Sequence, residues 1–137
     1  MVNTMKIEHI NPSDREAYAE YTQVVAATAT KTLYVAGQGA YDADRKLVGA
    51  GDHEAQARQA CRNLVDALAA AGATPEQVVF SQIFVVGLND DTFAAVMRGM
   101  KNVDGSKVLP ANASTLVGIE RLAYDEMLIE INAIAVA

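Results

Sequence analysis

The chain has 137 residues, 51% of them hydrophobic, which is enough for one domain with a real core and too few for two. Its net charge of -6, with 11 Lys and Arg scattered among 17 Asp and Glu, argues against a grip on nucleic acid, because phosphate binding needs clustered cations. The single cysteine, Cys61, cannot form an internal disulfide, the N-terminus lacks a signal-peptide core, and no stretch approaches the roughly 20 apolar residues of a membrane span. A cytoplasmic location with no membrane partner is the expectation.

Residues 1–19 form a lead-in with a turn signal at Asn11-Pro12-Ser13-Asp14 and a small strand over Lys6 to Ile10. The β-branched run Thr22 to Thr28 predicts a strand, and Thr32 to Gln38 its hairpin partner across Ala29-Thr30-Lys31. Gly37 and Gly39 end or kink that second strand. The polar stretch Tyr41 to Lys46 is a turn, and Gly49-Ala50-Gly51 lacks the spacing of a phosphate loop.

Asp52 caps the clearest helix, in which Ala57, Ala60, Cys61, Leu64, Val65 and Leu68 recur at three- and four-residue spacing, with Gly72 as the stop. Cys61 falls on its apolar side as a buried structural thiol. Val78 to Leu88 is a strand apolar enough to be covered on both faces for part of its length. Asn89, Asp90 and Asp91 are candidate caps for a second helix, Thr92 to about Lys101, with a stripe of Phe93, Val96, Met97 and Met100. A loop over Asn102 to Leu109 precedes strands at Ser114 to Ile119 and Met127 to Val136. This order predicts an α+β fold, with both helices on one face of a mixed sheet.

In the last strand Ile129, Ile131, Ala133 and Ala135 point one way, while Leu128, Glu130, Asn132, Ile134 and Val136 point the other. The second face mixes acid, amide and bulky aliphatics, a pattern suited to a partner subunit. Glu130 is then either the acid of a polar pocket at that interface or a solvated strand carboxylate. His9 and His53 are far apart without ligand spacing, so no metal is expected. His53 reads as a surface residue. Ser81 and Ser114 lack the context of a hydrolase nucleophile.

Several segments, in order, resemble the Rid family (reactive intermediate deaminases, also called the YjgF family). They are Tyr21-Thr22-Gln23, Val35-Ala36-Gly37-Gln38, Glu54-Ala55-Gln56-Ala57-Arg58-Gln59-Ala60, Ala70-Ala71-Gly72-Ala73, Val117-Gly118-Ile119 with Arg121-Leu122, and Ile129-Glu130-Ile131 with Ala133-Ile134-Ala135. The resemblance implies a chorismate-mutase-like α+β sandwich, a homotrimer with clefts between subunits, and cofactor-free hydrolysis of amino-acid-derived enamines and imines to a keto acid and ammonia. It implies Glu130 as the acid that holds the attacking water and Tyr21 as a cleft aromatic. Where the family has a cleft serine, asparagine and carboxylate-clamping arginine, this chain has Ala36, Met97 and Ser114. The sequence thus resembles a subgroup without the arginine. Its cleft, walled by Tyr21, Ser114, Thr115 and Glu130, would take a small, less anionic and more apolar ligand than 2-iminopropanoate. Arg98, Lys107 and Arg121 are candidates for a replacement charge. The alternative is a non-catalytic trimer that binds a small ligand or another protein. Some family members have been called ribonucleases, a label that the acidic charge does not support here.

Overall fold

The computed structural model describes residues 5–137; the first four residues of the lead-in lie outside them. Strands β1 (Lys6–Ile10) and β2 (Val24–Thr28) are followed by β3 (Thr32–Gln38), helix α1 (His53–Ala70), strand β4 (Val78–Val86), helix α2 (Asp90–Gly99) and strands β5 (Ala113–Ile119) and β6 (Ile129–Val136). The main sheet is mixed, in the order β3-β6-β4-β5, with β4 and β5 parallel and the other pairs antiparallel.

The strand at residues 24–28 does not pair with β3, as the hairpin expectation had it. It pairs antiparallel with β1, Ile7 opposite Ala27, in a separate two-stranded ribbon, while β3 takes β6 as its neighbour. Local β propensity marked both strands, but partner choice is settled by which edges can be covered once the chain has folded. Here Thr30 and Lys31 donate their backbone amides to the carbonyl of the C-terminal Ala137, so this turn docks onto the end of β6.

Helix α1 forms where the apolar spacing put it. Asp52 has extended backbone angles and its carboxylate accepts from the amide of Ala55 at 3.0 Å; Gly72, at φ 76°, lies just past the C-cap Ala71. Its stripe of Ala57, Ala60, Cys61, Leu64 and Leu68 is buried against Ile129, Ile131, Ala133 and Ala135 of β6, the face that alternation assigned to helix packing. Burying a leucine such as Leu64 contributes roughly 1.5–3 kcal/mol. Gln56, also fully buried, donates through Nε2 to the carbonyls of Gly49 and Glu126, both at 3.1 Å, and accepts from the amide of Leu128 at 2.9 Å. One side chain thus fastens the loop before α1 to the loop that feeds β6.

Helix α2 begins earlier than the apolar stripe suggests, because Asn89 caps it reciprocally with Thr92. It packs chiefly on α1, where Gly99 approaches so closely that a Cβ would meet the carbonyl oxygen of Glu54. His53 is not a free surface residue. It is half-buried, and its Nε2 donates to the carbonyl of Val86 at 2.7 Å, tying the start of α1 to the end of β4. Strand β4 is less enclosed than its apolar run suggests: past its first residue, full burial is confined to Ser81, Ile83 and Val85. No helix among the described residues lies on the opposite face of the main sheet. No helix among the described residues is long and apolar enough to cross a membrane.

Candidate functional site

A cavity of about 610 Å³ opens where α2 overhangs β4 and β5, a size within the usual range for small-molecule sites. Its floor is polar. Ser81 interrupts the apolar run of β4 on the buried side, and register sets it beside Ser114 of β5. Ser81 Oγ lies 2.8 Å from Asn112 Oδ1 and 3.0 Å from Ser114 Oγ, and Asn112 Nδ2 donates to the carbonyl of Pro110 at 2.9 Å. A hydroxyl has one proton to give. With that of Ser81 donated to Asn112, Ser114 donates to Ser81 and keeps its lone pairs free toward the cavity. The backbone carbonyl of Asn112 accepts from the amide of Thr22, which fixes the segment that bears Tyr21.

The walls are apolar: Ile83 and Leu116 from the strands, Phe93, Met97 and Met100 from α2, and Leu109. Met97 and Met100 are half-buried, at once core filler and cavity wall. Tyr21 closes one side, with Tyr18 stacked on it at 5.0 Å between ring centroids and 13° between planes. The rim is charged, with Glu20, Lys101 and Lys107. Lys107 donates from Nζ to the carbonyl of Ala19.

The bare face of the sheet holds a second group. Because neighbouring strands share faces at paired positions, Thr115, Gln82 and Asn132 form a polar row, with Asn132 Nδ2 donating to Gln82 Oε1 at 3.3 Å. Val117, Phe84 and Glu130 form the row on one side of it, and Phe80, Ile134 and Tyr34 the row on the other. Glu130 is half-buried, and its carboxyl lies over Gly37, where a Cβ would stand 2.6 Å from Glu130 Cδ. The kink expected at Gly37 is a β-bulge: between Val35 and Gln38 strand β3 has one residue more than β6, and the absence of a side chain at Gly37 leaves room for the carboxyl.

Of the site residues read from the sequence, Tyr21, Met97 and Ser114 therefore meet at one cavity. Glu130, Ala36 and Thr115 do not; they belong to the bare face of the same chain. Of the three candidate replacement charges, Arg98 is engaged by Glu54 at 2.7 Å, and Arg121 by Asp125 at 3.0 Å and by the carbonyls of Leu122 and Ala123. Lys107 alone reaches the cavity, joined by Lys101. The sequence reading missed Ser81, Asn112 and Lys101 as cavity residues. For Ser81 the signal was present, a lone hydroxyl at a buried position of an apolar strand.

Comparison with known proteins agrees with this architecture. A family model described as Endoribonuclease L-PSP matches residues 12–137. A RutC family protein of Synechocystis is 36% identical over 117 residues, covering 85% of each chain. The crystal structure of the Rid-family protein YyfB of Yersinia pestis superposes with a TM-score of 0.82 at 33% identity, covering 96% of this chain and 98% of that one. A Thermotoga maritima protein described as a putative endoribonuclease superposes with a TM-score of 0.66 at 28% identity, covering 89% and 90%. The two helices laid on a mixed sheet, the ordered motifs and these likenesses lead to one conclusion: the chain belongs to the Rid/YjgF family, the Endoribonuclease L-PSP family of that match.

Proposed function

We propose that this protein works as a homotrimer whose clefts between subunits hydrolyse a small imine, enamine or related amide-like substrate. The observation that carries this reading is the division of the site residues: Tyr21, Met97 and Ser114 line a cavity, while Glu130, Ala36 and Thr115 lie on a sheet face that no helix of the described residues covers. Apposing the bare face of one copy to the β5 edge of another brings both groups into one cleft. Covering Phe84, Ile134 and Tyr34, the last 79% exposed, supplies an apolar driving force for that assembly.

In such a cleft the Glu130 carboxylate accepts a proton from a water as its oxygen adds to the imine carbon; the carboxyl then returns that proton to the nitrogen, and the carbinolamine collapses to a carbonyl and releases ammonia. No cofactor enters. Strand β5 is an edge strand, so part of its amides near Ser114 and Thr115 face away from the ladder, available to polarise the substrate. Ser114 cannot supply the bidentate clamp of an arginine, and the wall of Met97, Met100 and Leu116 favours an apolar side chain. The substrate is thus more apolar than 2-iminopropanoate, and this chain is not a standard deaminase of that compound.

Ammonia release from freshly generated imines of leucine, methionine and alanine tests the reading. The larger imines should turn over faster, and Glu130→Gln should lower turnover about 100-fold or more. No turnover with any of them would leave a non-catalytic trimer that binds a small ligand or a protein, and a monomer in light scattering would remove the shared cleft altogether.

A further inference from the structure

We infer that Lys101 and Lys107 form an anion-binding rim that grips the carboxylate of an apolar-tailed substrate at the cavity. The inference rests on the cavity being the substrate site proposed above. The two lysines face each other across an isolated antiparallel bridge. The amide of Asn102 donates to the carbonyl of Ser106 at 2.7 Å and that of Val108 to Met100 at 3.0 Å, flanking the lysine pair on both sides. Lys101 and Lys107 are therefore a non-hydrogen-bonded pair, the closer of the two antiparallel spacings, with side chains on one face.

Like charges in such a pair repel and weaken the hairpin, a cost that a bound anion would offset. The hairpin's own acid does not serve: Asp104 accepts from the hydroxyl of Ser106 at 2.6 Å and from its amide at 2.9 Å, bonds that hold its carboxyl below the usual range. None of the ion pairs among the described residues includes either lysine, and Glu20, the carboxylate on the same rim, lies within 4 Å of neither. A hairpin on the same plan, with Tyr41 bridged to Leu47, has no charge at the paired positions. The lysine pair is thus not demanded by the turn. Lys107 is further oriented by the Ala19 carbonyl, whose segment leads directly to Tyr21.

Besides the two lysines and the hydroxyls of Ser81 and Ser114, the same cavity is lined by Phe93, Met97, Met100 and Leu116. An amphipathic organic acid matches that combination of surfaces. Its carboxylate meets two ammonium groups, and its hydrocarbon part meets thioether and aromatic walls.

Isothermal titration calorimetry of the full chain with 4-methyl-2-oxopentanoate and with its uncharged methyl ester separates the alternatives. The acid should bind at least about tenfold more tightly than the ester, and Lys101→Gln and Lys107→Gln should each weaken the acid about tenfold while leaving the ester unchanged. Lys101→Glu should weaken the acid further, and Lys107→Arg should restore it. Equal binding of acid and ester, or indifference of the acid to the lysine substitutions, would overturn the rim while leaving the cavity and the Glu130 chemistry standing. Binding of neither compound would remove the cavity as the ligand site, and the rim with it.

Discussion

The two faces of the main sheet are built from alternate residues of the same strands, yet they solve different problems. On the helix side, Ile129, Ile131, Ala133 and Ala135 meet the α1 stripe and are almost fully buried. On the bare side, Glu130, Asn132 and Ile134 are only half-covered, and polar and apolar rows alternate across the sheet. The first face is a folding surface, where any polar group must be satisfied internally, as Gln56 is. The second can carry an unpaired carboxylate because water still reaches it. Residues that hold the chain together and residues free to take up chemistry therefore sit one position apart.

The largest expected effect falls on the covered face. Leu64→Ala should cost about 2–5 kcal/mol in urea-induced unfolding, since a fully buried side chain leaves a cavity that its neighbours fill only in part. A loss comparable to that of an exposed substitution would blur the contrast between the faces.

Next comes the bare face. Ile134→Lys should leave the helical circular-dichroism signal intact while shifting the light-scattering mass toward that of a monomer, because desolvating a new ammonium group at an interface opposes association. Loss of the folded signal itself would mean that the bare face contributes to folding as much as the covered one does.

A smaller, pH-dependent effect belongs to the interior. Burial pushes the Cys61 thiol up to about 12, whereas a thiol in the unfolded chain titrates near about 8.5. Above that value the unfolded chain loses its proton while the folded one keeps it, so stability is full at neutral pH and declines as pH rises from about 9 toward 12. Tyr41, raised to about 12 by burial and by the Glu126 carboxylate that accepts its hydroxyl at 2.9 Å, shifts stability in the same direction over the upper part of that window. Urea midpoints should fall across this range, and a thiol reagent at neutral pH should label Cys61 only after unfolding. Rapid labelling of the native protein would show that the helix face of Cys61 is open.

Much of the fold was legible because its signals are local. Asp52 and Gly72 bound α1 as capping residues do, and the alternation in β6 divided its two faces up to Ile134, while Val136, assigned to the uncovered face, is buried at the strand's end. What failed was the pairing of Val24–Thr28 with Thr32–Gln38, since two adjacent β-branched runs look like a hairpin whatever each pairs with. For the candidate site, the sequence named residues but not their arrangement. Tyr21, Met97 and Ser114 converge on one cavity, whereas Glu130 is carried to the opposite face by a single step in strand parity. The hydroxyl chain of Ser81, Ser114 and Asn112 depends on a parallel register between strands 33 residues apart, which no local pattern encodes.

By itself, the sequence determined the family, the helices with their caps, the two-faced closing strand, and the absence of an arginine at position 114. These follow from short-range periodicity and from residue identity. Tertiary structure alone decided which strands are neighbours, which side of the sheet each candidate site residue occupies, and which cations are taken up in ion pairs. Arg98 and Arg121 are held in ion pairs, while Lys101 and Lys107 are set face to face at the cavity rim. The physical reason is that pairing register and charge neutralisation are properties of groups distant in the chain, settled only when burial of the common core brings those groups together.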